Sequence, residues 1–464
     1  MLYLKILRAE FEKVVLIMKK LLSLMLAIMI IVCSFVGVSA YELDMEDELG
    51  SEIALLISLD YGTVIYEKNA DKVTAPSSLV KIVTAIMALD YYSEDGLDTI
   101  ITADYSAILA VPYGSIASGL MSGENLTVEQ LLYYILVQSA NDATHILAYQ
   151  IGSENPREGM SPLESFVAMM NDFAKEKGCT DTAFSDCTGI DNVGNRSTAN
   201  DIAKLASYAA ENETFMKICG TLAYNMPATN KNYARTLTTG NSIIMSSSEY
   251  YYRYANGMRT GASDKGRCLV ATSEKDGYNY LAVVMESPLE TTDDGEEINY
   301  SFKDASALLK WANTKLSYIV IVDENTVTGL EVYVENGKGV DYVRLVPSSQ
   351  IRELVPSSIK DSDIDFVIEQ GAIPESLKAT VEKGQVVCKA KVVYDGRVFG
   401  EVDLVCANTV SLSVGAVLMS FFSSLWGILV ILLVAVVIIA LVFLRSIKKS
   451  KKKRIRVVRV EESE

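Results

Sequence analysis

From Leu425 to Leu444 the chain reads LWGILVILLVAVVIIALVFL, 20 residues without one charge. About 20 apolar residues in helical form match the hydrocarbon core of a bilayer. A buried core helix is the competing reading, but RSIKKSKKKRIRVVR follows at once, and Lys/Arg clusters beside a span stay cytoplasmic. The run therefore dictates a topology: one crossing at 425–444, a basic tail at 445–464 inside, and the rest of the chain exported. The other end agrees. From Met18, MKKLLSLMLAIMIIVCSFVGVSA gives two lysines, an apolar stretch and the small-residue ending Val38-Ser39-Ala40. That is the pattern of a secretory signal peptide over 1–40, cut after Ala40, with 1–17 as a possible upstream start. An uncleaved N-terminal anchor is the alternative.

Between these ends the chain is acidic. Of the formal net charge of −17, residues 1–40 contribute +3 and residues 445–464 contribute +6, which leaves −26 for the body. Nucleic-acid binding needs a basic footprint, so no nucleic-acid partner is expected. The chain has one histidine and seven cysteines with no CxxC spacing, so a zinc site lacks ligands and no metal is expected. Export permits disulfides, but cysteines this scattered read as small core residues.

The 464 residues leave room for two soluble domains. Residues 51–69 read as two strands around Asp60-Tyr61-Gly62. Helices are predicted over 77–90, over 127–151 with a break at Ser139-Ala140-Asn141, and over 161–177, 197–211 and 300–316. Residues 267–285 read as a hairpin turning at Asp276-Gly277. This order predicts an α/β domain over 41–316, with one sheet and a helical insertion. From about 317 short alternating segments such as GLEVYVENG, DYVRLVP and QVVCKAKVVYDG predict a small all-β domain, 317–407. A juxtamembrane segment, 408–424, joins it to the span.

Three short patterns in the first domain bear on chemistry. In TAPSSLVKIVTAIMALD a lysine stands in the first turn of an apolar helix, where the helix dipole disfavours a cation. Pro76, Ser77 and Ser78 are explained as helix starters, but Lys81 is not. Ser78 and Lys81, three apart, share a face. Burial disfavours a charged amine, so a buried Lys81 is a base beside a hydroxyl nucleophile. The pattern alone is common: Ser357/Lys360, Ser446/Lys449 and Ser450/Lys453 repeat it. The second pattern is Ser139-Ala140-Asn141, a hydroxyl and an amide at a helix break; Ser153-Glu154-Asn155 repeats it. The third is Arg259-Thr260-Gly261 before the hairpin, a cation and hydroxyl suited to a carboxylate. His145 reads as a helix-packing residue.

In this order the three patterns resemble the signature of the active-site-serine penicillin-recognising enzymes. The segments APSSLVKIVTA, GSIASGLMSGENLTVEQLLYYILVQSANDA, FSDCTGIDNVGNRSTANDIAKLA and NGMRTGASDKGRCLVATSEKDG look like the low-molecular-weight D-alanyl-D-alanine carboxypeptidases of family S11 over roughly 45–315. The resemblance implies a DD-peptidase/β-lactamase-like α/β domain, an antiparallel sheet flanked by helices plus a helical subdomain. The all-β domain and one transmembrane helix would follow. It implies Ser78 as nucleophile, Lys81 as general base, Ser139 as proton relay and Asn141 as the residue orienting substrate and Lys81. Arg259, Thr260 and Gly261 would bind the substrate carboxylate, with the Ala262 N–H in the oxyanion hole. Arg259 stands where the family usually carries Lys. The implied partners are stem peptides ending in D-Ala-D-Ala, β-lactams and the membrane, with no metal or organic cofactor. A class A-like β-lactamase is the alternative, disfavoured by the span, the β domain and Ser-Ala-Asn in place of Ser-Asp-Asn. A wall-binding or sensor module without strong catalysis is the other.

Overall fold

The structure, a computed structural model, describes residues 48–190 and 194–458. The signal-peptide reading of 1–40 lies outside the described residues. The chain divides into two compact units, one up to Leu316 and one from Ser317.

The first unit is built on an antiparallel five-stranded sheet. Its strands are β1 (Ile53–Ser58), β2 (Thr63–Lys68), β3 (Ala255–Ser263), β4 (Gly266–Lys275) and β5 (Tyr278–Ser287), in the order β2-β1-β5-β4-β3. Every residue of β1 is buried, because IALLIS is covered on both faces. β3 is an edge strand, paired only with β4, so one side of its backbone is left for other partners.

Helix α1 (Val80–Tyr92) is buried continuously from Val80 to Leu89, and that is why its sequence is apolar all round rather than striped. It packs in one core cluster with residues of β1 and, among other helices, of four longer ones. These are α2 (Val128–Leu136), α3 (Asn141–Glu154), α4 (Pro162–Glu176) and α5 (Ala199–Ala210). A capping box, Thr127 with Gln130, starts α2, and a second, Ser161 with Glu164, starts α4. Helix α6 (Tyr300–Lys315) closes the unit. Its buried Asp304 accepts hydrogen bonds from the Ser51 N–H and hydroxyl, both at 2.6 Å, and so ties the start of β1 to the closing helix.

The predicted break at Ser139-Ala140-Asn141 is real: α2 ends at Leu136 and α3 begins at Asn141. Sequence reasoning left unread a short helix at Glu213–Cys219, a hairpin of Ala223–Met226 with Arg235–Thr238, and a two-stranded ribbon of Ile100–Thr102 with Asn125–Thr127. These pieces are three to seven residues long, too short for periodicity to show.

The second unit holds a six-stranded sheet whose longest strands, Val386–Tyr394 and Arg397–Cys406, form a hairpin. In VVCKAKVVY the residues Cys388, Ala390 and Val392 point into the core while Lys389 and Lys391 stay out, so the alternation of the sequence is the alternation of burial. Helices follow at Val414–Ser423 and Leu425–Val458. The stretch Leu425–Lys449 is long and apolar enough to cross a membrane, with mean hydropathy 3.6. The six cysteines among the described residues are buried and unbridged.

Candidate active site

The segment before α1 is anchored first. Thr74 and Ser197 exchange backbone hydrogen bonds at 2.8 and 2.9 Å. Pro76 then leads a single 3-10 turn, Ser77–Leu79, that runs straight into α1. Ser77 is held at φ +50°, a left-handed conformation that costs a non-glycine residue energy. The turn leaves Ser78 half-buried and directs Lys81 inward, 1% exposed.

The Lys81 ammonium donates to two oxygens: Ser78 Oγ at 3.2 Å and the Thr188 carbonyl at 2.7 Å. Burial pushes its pKa down to about 7, and the nearby Arg259 cation pushes the same way, opposed in part by Cys187 and Asp186. The amine can therefore give up its proton near neutrality and turn a lone pair toward the hydroxyl. Among the described residues no carboxylate hydrogen-bonds it, and Asp186 acts on it only through its field. The cation at the helix N-terminus, unexplained by capping, is a desolvated amine.

The carbonyl that receives Lys81 belongs to a turn that sequence reasoning did not single out. Asp186 Oδ1 accepts the N–H of Thr188 at 2.8 Å and of Gly189 at 2.6 Å, and Asn195 Nδ2 at 3.2 Å. Thr84 on α1 donates to the Cys187 carbonyl at 2.7 Å. Gly189 sits at φ +80° with no room for a side chain: a Cβ there would lie 1.8 Å from the Ser77 carbonyl oxygen. The one available signal was the Asp-Cys-Thr-Gly string, which reads as an Asx turn.

Ser139 and Asn141 reach the same place from the α2–α3 junction. Ser139 is buried at φ +62°, and its Oγ donates to Ser78 Oγ at 3.4 Å. The Asn141 N–H donates to the Ile116 carbonyl at 2.8 Å, and its buried Oδ1 has no hydrogen-bond partner among the described residues. Next to it, Asp142 Oδ2 accepts the N–H groups of Ser118 at 2.9 Å and Leu120 at 3.0 Å, which ties the 110–122 loop to α3. His145 lies buried further along α3, with its pKa lowered chiefly by burial.

The fourth contribution is the edge of β3, where two of the predicted site groups have hydrogen-bond partners within the chain. Arg259 was read as an open fork for a carboxylate. It is 4% exposed, and its Nη1 donates to the carbonyls of Ile135 at 3.1 Å and Leu136 at 2.7 Å. Those are the last residues of α2, whose unpaired carbonyls and negative dipole end attract a cation. Desolvation lowers the Arg259 pKa to about 10, so it remains charged at neutral pH. Ala262 was read as offering its N–H to an oxyanion. That N–H donates to Ser77 Oγ at 3.0 Å, and the Ser77 hydroxyl donates in turn to the Ala262 carbonyl at 2.5 Å. Gly261 lets the strand come this close: a Cβ there would stand 3.3 Å from Ser77 Cβ, Ser77 Oγ and Ser78 N. Thr260 is half-buried beside it. Among the described residues no cluster of His, Cys, Asp and Glu could hold a metal ion.

The arrangement is a hydroxyl with a buried amine at hydrogen-bond distance, a second hydroxyl against the first, and a strand edge alongside. That is apparatus for nucleophilic acyl transfer. Comparison with known proteins points the same way. Residues 41–288 match the D-alanyl-D-alanine carboxypeptidase family, and residues 318–411 match the penicillin-binding protein 5 C-terminal domain. The chain is 28% identical over 395 residues to the D-alanyl-D-alanine carboxypeptidase DacF of Bacillus subtilis, covering 83% of this chain and 92% of that protein. It is 32% identical over 250 residues to the D-alanyl-D-alanine carboxypeptidase of Streptomyces sp. strain K15, covering 52% of this chain and 83% of that one. The fold is similar to the crystal structure of the D-alanyl-D-alanine carboxypeptidase DacD from Francisella tularensis, with TM-score 0.57 and 22% identity, over 82% of this chain and 96% of that chain.

Gly189→Ala should cost at least about 2 kcal/mol of stability, because a backbone carbonyl must move to admit the methyl. Gly62→Ala, at φ +63° with nothing within 4 Å, should cost only the left-handed penalty of about 1 kcal/mol. Urea denaturation of both variants checks this; equal losses would remove the steric account of Gly189.

Proposed function

We propose that this chain, which belongs to the D-alanyl-D-alanine carboxypeptidase family, removes the terminal D-alanine from peptidoglycan stem peptides through an acyl-enzyme on Ser78. The observation that carries the assignment of roles is the Lys81 amine, buried and 3.2 Å from Ser78 Oγ. Ser78 attacks the carbonyl of the D-Ala-D-Ala bond and Lys81 accepts its proton. The tetrahedral oxyanion draws on the N–H groups of Ser78 and Ala262; in well-studied enzymes one such donor is worth about 10²–10³ in rate. Ser139, which touches the Ser78 hydroxyl, returns the proton to the leaving amine, so that D-alanine departs neutral at nitrogen. Asn141 orients the substrate amide and Lys81. A water, activated by the same base, then splits the ester and restores Ser78.

The substrate carboxylate is held by the Thr260 hydroxyl on the strand edge next to Gly261. Arg259 adds positive potential from behind the strand. A β-lactam acylates the same serine, and its leaving amine stays tethered by the ring, which slows release. The catalytic unit and the β domain lie outside the cell, the apolar helix spans the membrane, and the basic tail is cytoplasmic. In chain order the β domain falls between the catalytic unit and the apolar helix.

The test of the reaction is to treat the purified protein with a fluorescent penicillin and with diacetyl-Lys-D-Ala-D-Ala. The expected outcome is a long-lived adduct on Ser78 together with D-alanine release, both lost in Ser78→Ala. Rapid turnover of the adduct would indicate a β-lactamase instead. No adduct and no D-alanine would end the enzymatic reading.

The pH profile tests Lys81. A base must be neutral to act, so kcat/KM should fall about tenfold per pH unit below about 7 and be flat above it. Arg259→Gln removes a charge that lowers the Lys81 pKa, so the acid limb should move to higher pH. A limb that stays put would separate Arg259 from the base. The folded amine also binds fewer protons than the unfolded one between about 7 and 10.5, so stability should rise with pH across that window.

Trypsin added to intact cells should leave the 445–464 tail uncut, whereas permeabilised cells should lose it. Cleavage in intact cells would reverse the topology.

A further inference from the structure

Ser77 combines three features that a helix-starting serine does not need. It is 3% exposed, it is held at φ +50°, and its hydroxyl bonds both backbone groups of one edge residue. A serine hydroxyl has one proton to give and lone pairs to receive. It spends the proton on the Ala262 carbonyl and receives the Ala262 N–H. These are the outward groups of an edge strand, the place where an extended peptide adds alongside a sheet. Under the reading proposed above, the same N–H must face the oxyanion.

We infer that Ser77 is a positioning residue that occupies the oxyanion donor of Ala262 and must be displaced for Ser78 to be acylated. The inference rests on the proposed serine chemistry, since only there does the Ala262 N–H have a task. The geometry supports it independently of any titration. The side chain lies flat on the Gly261–Ala262 backbone, with Ser77 Cβ and Oγ both 3.3 Å from where a Gly261 side chain would begin. The left-handed turn is what aims it there.

A tethered hydroxyl competes for the donor better than water does. Water at the same spot leaves when substrate arrives and gains translational freedom, whereas Ser77 can only rotate about Cα–Cβ and is always present at high effective concentration. The hydroxyl therefore keeps the edge satisfied and slows acylation by the strength of a neutral hydrogen bond. Removing it should speed the reaction, an outcome that loss of a packing residue does not produce.

The experiment uses the full-length protein in detergent, as wild type, Ser77→Ala and Ser77→Gly. Both variants lack the hydroxyl, and Gly suits φ +50°, so at least one is expected to fold; thermal denaturation confirms which. Stopped-flow acylation by a fluorescent penicillin and D-alanine release from diacetyl-Lys-D-Ala-D-Ala are measured for each. The expected result is an acylation rate constant about 3- to 10-fold above wild type in each folded variant, with the peptide kcat raised and KM little changed. An unchanged or slower acylation in a folded variant, with wild type labelled on Ser78, overturns the inference and leaves the proposed function standing. Wild type unlabelled on Ser78 and without D-alanine release overturns the proposed function and the inference with it.

Discussion

An amine buried without a carboxylate partner governs the architecture of the first unit. Among the described residues Lys81 donates to a hydroxyl and a carbonyl, and taking its charge out of water is costly enough to bring its pKa to about 7. Dry surroundings for that amine need a helix covered on all sides, and α1 is so covered. They also need three backbone segments to converge on the helix start: the 185–189 turn, the α2–α3 junction and the edge of β3. Each is fixed at least in part by bonds to distant chain. If any one drew back, water would enter and the amine would return toward an ordinary lysine.

The convergence is bought with backbone strain. Ser77 at φ +50°, Ser139 at φ +62° and Gly189 at φ +80° are all left-handed, and all belong to segments that reach Ser78 or its immediate neighbour. A non-glycine residue in such a region costs of order 1–3 kcal/mol and persists only where its surroundings over-determine it. Here the surroundings are the exchange between Thr74 and Ser197, the Asx turn of Asp186, and the Asp142 contacts to the 110–122 loop. Strain placed around one hydroxyl keeps that hydroxyl from relaxing into a helix cap, which is what the sequence Pro-Ser-Ser would otherwise make of it.

The parts of the site that the sequence discloses are those whose chemistry sits in side chains at short spacing. Ser78 and Lys81 meet because three residues bring a helix face around. Ser139 and Asn141 flank a visible break in periodicity, and the hairpin that carries the sheet shows its turn at Asp276-Gly277. What stays hidden is chemistry done by backbone or by chain far away. Thr188 acts through a carbonyl, which every residue has. The partners of Arg259 are carbonyls 123 and 124 residues earlier in the chain. Ser77 reads as a cap from its neighbours, and its real partner is 185 residues on. Local pattern fixes which groups exist, and only the strand order decides which of them face each other.

The substitution of arginine for the usual lysine on β3 becomes intelligible in that setting. Two buried cations near one another repel, and the weaker acid keeps its proton. With lysine at both positions, either amine could surrender the proton, and the neutral one need not be the amine beside Ser78. Arg259 stays protonated even with its pKa lowered to about 10, and Lys81 falls to about 7, so the order of deprotonation is fixed. The guanidinium is also able to bridge the Ile135 and Leu136 carbonyls with one nitrogen, where it satisfies the end of α2 and stays behind the strand. The cation then acts on the Lys81 amine through its field, lowering its pKa.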